Sequence, residues 1–167
     1  MQTLFPEQLS QYIERSGVPP VLLLFGDDLL LRMDAIDVIR QHFGHDAEKY
    51  HWIQSKDFEW KQLSELEQSM SLFGSDTLIE LELPENKPGK EGSNALHSYA
   101  NQLPENHTLV VIGSYLKKEH QNSRWFKSLA EHGPLIRTQS PDKARLPVFI
   151  HKRAQKYQLT LAEGVPE

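Results

Sequence analysis

The sequence predicts a three-layer α/β domain on a mostly parallel, five-stranded sheet, and three observations carry that expectation. Val21-Leu22-Leu23-Leu24-Phe25 is a continuous apolar run between Pro19-Pro20 and Gly26, too short for a helix of its own. It reads as a strand covered on both faces, as parallel sheets require. His107 to Ile112 repeats the pattern before Gly113. Between such runs lie stretches of helical period, so the order is β-α-β-α-β-α-β-α-β, which folds as alternating crossovers.

Taken in order, the first helix is expected from Pro6 to Ser16, with Leu9, Tyr12 and Ile13 on one face and Gly17 as its stop. After the first strand, Asp27 and Asp28 stand as N-terminal acids of a helix reaching about Phe43, with Leu30, Met33, Ile36, Ile39 and Phe43 as its stripe. Tyr50–Ile53 reads as a short second strand, followed by a helix from about Asp57. Thr77–Leu83 is a strand that Pro84 ends, and Lys87–Ser93 a loop with Pro88, Gly89 and Gly92. A helix over Ala95–Leu103, the strand from His107, a helix over Ser123–Glu131 and a last strand at Leu135–Thr138 complete the unit. After Ser140-Pro141 the character changes to a basic amphipathic helix, Pro147–Tyr157, with a short remainder. One helix cannot bury a core of its own. Residues 1–140 are therefore expected as one domain and 141–167 as the beginning of a second, helical one, which makes the chain a fragment.

Composition narrows the function. Eighteen Lys+Arg against twenty-three Asp+Glu in 167 residues give a net charge of −5, which argues against a dedicated basic nucleic-acid binder. The apolar runs fall far short of the roughly 20 residues that span a bilayer. The absence of cysteine removes disulfides, thiolate nucleophiles and thiolate metal sites. Met1 to Pro6 lacks the basic and apolar regions of a signal peptide, so a cytoplasmic protein is expected.

A parallel sheet invites a nucleotide site after the first buried strand, where a helix N-terminus points its N–H groups at phosphate. The residues there are Gly26-Asp27-Asp28-Leu29-Leu30-Leu31-Arg32. A phosphate loop needs glycines, a lysine and a hydroxyl. Here two carboxylates stand in the phosphates' place and Arg32 lies too far into the helix to replace the lysine. Glu80 and Glu82 alternate with Ile79, Leu81 and Leu83 and read as the exposed face of a half-buried strand. His42, His45 and His51 read as solvated histidines rather than zinc ligands, which need fixed tetrahedral geometry. No G-x-S-x-G elbow marks a nucleophile. No catalytic site, cofactor or metal is expected.

One segment stands out. Leu63, Leu66, Met70 and Phe73 recur at helical spacing, the stripe of a core-facing helix, and Gly74 supplies a stop. Leu72 falls off that stripe. Either the helix continues and exposes Leu72, or it unwinds near Ser71 and presents Leu72 and Phe73 together.

Gln68-Ser69-Met70-Ser71-Leu72-Phe73 resembles the short motif by which bacterial replication proteins dock on the sliding clamp. With Thr77-Leu78, Leu83-Pro84-Glu85-Asn86, Leu4-Phe5-Pro6-Glu7-Gln8-Leu9, Leu22-Leu23-Leu24, Leu29-Leu30-Leu31, Trp125-Phe126 and Leu146-Pro147, the chain resembles the delta-subunit family of the DNA polymerase III clamp loader over nearly its whole length. The resemblance implies an AAA+-like domain without a working nucleotide site, then a helical lid and a helical collar that joins the other loader subunits. It implies a non-catalytic subunit of a DNA-directed DNA polymerase holoenzyme, a nucleotidyltransferase complex associated with the nucleoid. Its partners would be the sliding clamp (beta subunit), the other loader subunits through the collar, and DNA indirectly, with no membrane. The clamp-binding residues would be Gln68, Met70, Ser71, Leu72 and Phe73. Two alternatives stand beside it: a degenerate P-loop nucleotide-binding protein, and a direct DNA-binding module using Lys117, Lys118, Arg124, Lys127, Lys152, Arg153 and Lys156.

Overall fold

A computed structural model describes residues 1–68, 74–140 and 146–157. Its strands are β1 (Thr3–Leu4), β2 (Val21–Phe25), β3 (Glu48–Ile53), β4 (Thr77–Leu83), β5 (His107–Gly113) and β6 (Leu135–Arg137). They form one parallel sheet in the order β1-β6-β2-β5-β4-β3. Six strands, not five, make this sheet. The additional strand has two residues, paired as Thr3 with Leu135 and Leu4 with Ile136, and is too short to show a period in sequence.

The helices are α1 (Pro6–Ser16), α2 (Leu29–Arg40), α3 (Lys61–Gln68), α4 (Gly89–Gln102), α5 (Lys118–Gln121), α6 (Arg124–Ala130) and α7 (Leu146–Lys156). Strand alternation divides the core into two layers. Val21, Leu23 and Phe25 of β2 join Ile79, Leu81, Leu109 and Val111 beneath Leu63 of α3, Leu96 and Tyr99 of α4, and Phe126 and Leu129 of α6. Leu22 and Leu24 face the other way with Leu78, Val110 and Ile112, covered by Leu9 and Ile13 of α1 and Ala35 and Ile39 of α2. Each fully buried leucine of β2 contributes roughly 1.5–3 kcal/mol relative to exposure.

The expected stripe of α2 is corrected. Its buried residues are Leu31, Ala35 and Ile39, whereas Leu30 is 54% and Met33 61% exposed. The cap sets the phase: Asp28 accepts from the Leu31 amide at 3.1 Å, and the turn that follows brings Leu31 rather than Leu30 to the sheet. The helix ends at Arg40, short of Phe43. Helix α4 begins at Gly89, inside the expected loop. Gly92 is a contact there, not punctuation, since a Cβ on it would lie 2.4 Å from the Trp60 ring. Helix α3 starts at Lys61, later than expected, because residues 50–60 carry an aromatic ladder. Tyr50, Trp52, Phe58 and Trp60 meet in succession, the first pair tilted and the next two edge to face, at centroid distances of 5.8, 6.0 and 4.9 Å. That ladder ties the end of β3 to the start of α3.

Candidate functional site

The stretch singled out by sequence is flanked by two points that the fold holds in place. On its N-terminal side, α3 is seated by buried Leu63, by Leu66 at the edge of the core, and by buried Trp60 one residue before it. Gln68 is the last residue of α3 and is exposed. Met70, Ser71, Leu72 and Phe73 lie outside the described residues. On the C-terminal side, exposed Gly74 has a φ of +64°, a left-handed conformation that glycine adopts without cost. Two bonds of 2.8 Å then pin the chain: the Glu48 amide donates to Asp76 O, and the Thr77 amide to Asn106 O. After Gly74 the chain enters the N-terminal end of β4, where the bonds to β3 and the β5 approach hold it.

Burial raises the Glu67 carboxyl above the usual range. It stands near Tyr99, whose hydroxyl is driven well above its ordinary value, first by burial and then by the Glu67 charge. The turn of α3 next to Gln68 is packed on α4, with Leu66 against the cluster that contains Leu96 and Tyr99.

At the opposite, C-terminal ends of the strands a parallel α/β sheet can receive phosphate on a helix N-terminus, and the residues present do not fit one. Asp28 puts its own carboxylate on the first-turn amide of α2 and accepts a second bond from Ser140 Oγ at 3.2 Å. Asp27 accepts from the Tyr115 amide at 3.0 Å. Arg32 reaches back between the strand ends: its Nη2 donates to Gly26 O and to Gly113 O, both at 3.1 Å, and its Nη1 lies 3.5 Å from Glu82. A Cβ on Gly26 would come within 2.1 Å of Thr138 O, so backbone fills the space a loop around phosphate would need. The phosphate position is taken by the protein's own carboxylates, and Arg32 crosses the cleft behind them.

Glu80 and Glu82 are not a solvated strand face. Glu80 is 4% exposed and receives Arg40 Nε at 2.7 Å and Nη2 at 2.6 Å. Glu82 takes Arg32 and His51, whose Nε2 lies 3.1 Å away. Sequence did contain the signal: Arg32 and Arg40 are eight residues apart on α2, two turns along the helix that covers this part of the sheet. His42 bonds through Nδ1 to Val38 O at 2.9 Å. Among the described residues no group of three or more His, Asp or Glu assembles to hold a metal. Nor do the basic residues form one patch. Arg153 and Lys156 engage Asp34 on α2, whereas Lys117, Lys118, Arg124 and Lys127 lie exposed on α5, α6 and their approach.

Residues 22–139 match the family described as DNA polymerase III, delta subunit. The chain is 33% identical over 166 residues to DNA polymerase III subunit delta of Escherichia coli (strain K12), covering 98% of the chain and 48% of that protein. It is 32% identical over 161 residues to the Haemophilus influenzae protein of the same name, covering 93% of the chain and 46% of the relative. The chain thus spans about half the length of the curated relatives it matches. In structure it resembles the Bacillus subtilis DNA clamp loader delta protein (YqeN), with a TM-score of 0.75 at 18% identity, over 95% of the chain and 49% of that one. The ORC1 protein of Aeropyrum pernix, solved in complex with DNA, shares the AAA+-like fold with a TM-score of 0.52 at 16% identity, over 90% of the chain and 48% of its own. The chain belongs to the DNA polymerase III delta-subunit family.

Proposed function

We propose that this chain is the part of a clamp-loader delta subunit that docks on the sliding clamp, through Gln68 and the residues up to Phe73, and helps to open the ring. The observation that supports it is the seating of this segment. The clamp-like motif begins at Gln68, in the part of α3 that packs against α4, and the chain is caught again at Asp76 and Thr77 by two 2.8 Å bonds. Anchors on both sides reduce the ordering entropy that a short recognition segment loses on binding.

In this reading Leu72 and Phe73 fill an apolar pocket of the clamp, Met70 flanks them, Ser71 spaces them, and Gln68 supplies a polar anchor. Burying each large side chain contributes roughly 1.5–3 kcal/mol. Losing the pair removes about 3–6 kcal/mol, or two to four decades of affinity. Ring opening needs more than a plug, because a ligand shifts an equilibrium only by its differential affinity for the two states. The subunit therefore binds the strained or open ring more tightly than the closed one. It works with the other loader subunits through chain beyond this region, meets DNA through the assembly, and acts in the cytoplasm at the nucleoid. No described helix is long and apolar enough to cross a membrane.

A peptide covering residues 66–76 tests the docking role by competition. It is expected to displace the chain from the clamp of the same organism, and a peptide with Leu72→Ala and Phe73→Ala is expected not to. Equal potency of the two peptides, or displacement by neither, contradicts the assignment.

A further inference from the structure

Helix α7 presents two cations to one carboxylate. Arg153 Nη1 donates to Asp34 Oδ2, and Lys156 Nζ donates to Asp34 Oδ1 at 3.0 Å. Asp34 sits in the middle of α2, with its side chain 18% exposed. Arg153 is also held from its own helix, its guanidinium carbon 5.5 Å from the Phe149 ring centroid and 5.7 Å from that of Tyr157. The guanidinium therefore arrives at α2 already oriented.

The seam around these contacts is loosely filled. A cavity of about 380 Å³ lies between α1, α2 and α7, with Pro6, Ser10 and Val38 on one side and Phe149 and Gln155 on the other. Ala154 is the buried residue of α7, and Val148 and Tyr157 remain more than half exposed. So little apolar burial leaves the seating of α7 dependent on charge-assisted bonds to a single acid, which salt weakens.

We propose that Asp34 is an electrostatic latch holding α7 against the α1–α2 face, and that breaking it lets the helix move relative to the sheet. If the docking role proposed above holds, this carboxylate sets how α7 sits against the domain that docks. The latch itself is independent of that role.

The test uses the absence of cysteine from the chain. Spin labels at Ser10→Cys and Gln155→Cys report the distance across the cavity by pulsed electron paramagnetic resonance. A single narrow distribution is expected at low salt, broadening about twofold or more in Asp34→Asn, and in the unchanged Asp34 background at about 0.5 M salt, where screening acts within a few ångströms. Asp34→Glu keeps the charge and is expected to retain the narrow distribution, and Asp34→Asn is expected to lose the salt response. Helix content by circular dichroism stays constant if α7 undocks as a unit. The proposal is overturned if Asp34→Asn leaves the distribution narrow, if salt has no effect in the Asp34 background, or if broadening comes with loss of α7 helicity.

Discussion

Arg40 and Glu80 meet in a two-point contact, Nε to Oε1 at 2.7 Å and Nη2 to Oε2 at 2.6 Å, which joins the last turn of α2 to the middle of β4. A carboxylate 4% exposed within β4 is tolerated because the guanidinium fork supplies two parallel charge-assisted bonds. The hydrogen bond to Glu80 in turn holds the Arg40 pKa above its ordinary value.

Removing one partner costs more than removing both. Arg40→Ala strands the buried Glu80 charge and is expected to destabilise the chain by about 2–4 kcal/mol, at the lower end of what a broken buried pair costs because Arg40 is partly solvated. Arg40→Ala with Glu80→Leu is expected to recover most of that loss. Urea unfolding of the two variants checks both expectations, and equal stability of the two contradicts the reading of Glu80 as a paired buried charge.

Gly26 closes the cleft at the end of β2. Its φ of +155° and the 2.1 Å approach of a notional Cβ to Thr138 O leave no room for a side chain. Gly26→Ala is expected to destabilise by about 3 kcal/mol or more through displacement of the β6 end. Thermal unfolding measures this, and a change under about 1 kcal/mol would show that the backbone adjusts freely there.

Two carboxyls give opposite pH signatures. Burial alone would raise Asp34, but the hydrogen bonds from Lys156 and Arg153 outweigh it and hold the carboxyl below its usual 3.8. Because the folded value is depressed, its contribution is fully present above the unfolded value and is lost as pH falls through the folded one. Release of α7 is therefore expected only below about pH 4, where the carboxyl protonates. Glu7 of α1 and Asp37 of α2 line the same seam, as does Lys152 of α7. Pulsed resonance on the labelled chain across pH 3–6 follows the transition, expected in the lower part of that range.

Glu67 behaves the other way. Burial raises its carboxyl, so the folded state binds a proton more readily than the unfolded one, and stability gained from this group appears as pH falls through the raised value. Glu67→Gln removes the penalty of a buried charge and is expected to raise the midpoint of thermal unfolding at neutral pH, with the gain shrinking toward pH 4. A fall in the midpoint would show that the Glu67 charge has a compensating partner.

How much of this was legible in sequence differs between fold and site. Val21–Phe25 and His107–Gly113 declared themselves because an uninterrupted apolar run between turn residues has few other uses in a chain of this composition. Thr3–Leu4 did not, since two residues carry no period and the strand exists only by pairing with β6. The phase of α2 is hidden in sequence because Leu29, Leu30 and Leu31 are equivalent as apolar residues, and the bond from the Leu31 amide to Asp28 decides among them. Glu80 looked solvated because alternation on a half-buried strand and a buried ion pair give the same pattern until the helix bearing Arg40 is placed above it. The candidate site was visible as a motif through family resemblance, whereas its setting was not: the pinning of Asp76 and Thr77 joins residues far apart in sequence.

The central claim is that residues 68–73 dock on the sliding clamp, and the direct measurement is equilibrium binding of the chain to the clamp of the same organism, beside Leu72→Ala/Phe73→Ala. The double variant is expected to keep the circular dichroism spectrum and cooperative unfolding of the unaltered chain, yet to lose two to four decades of affinity, about 3–6 kcal/mol. Equal binding by both chains, or no binding by the unaltered one, would contradict the claim.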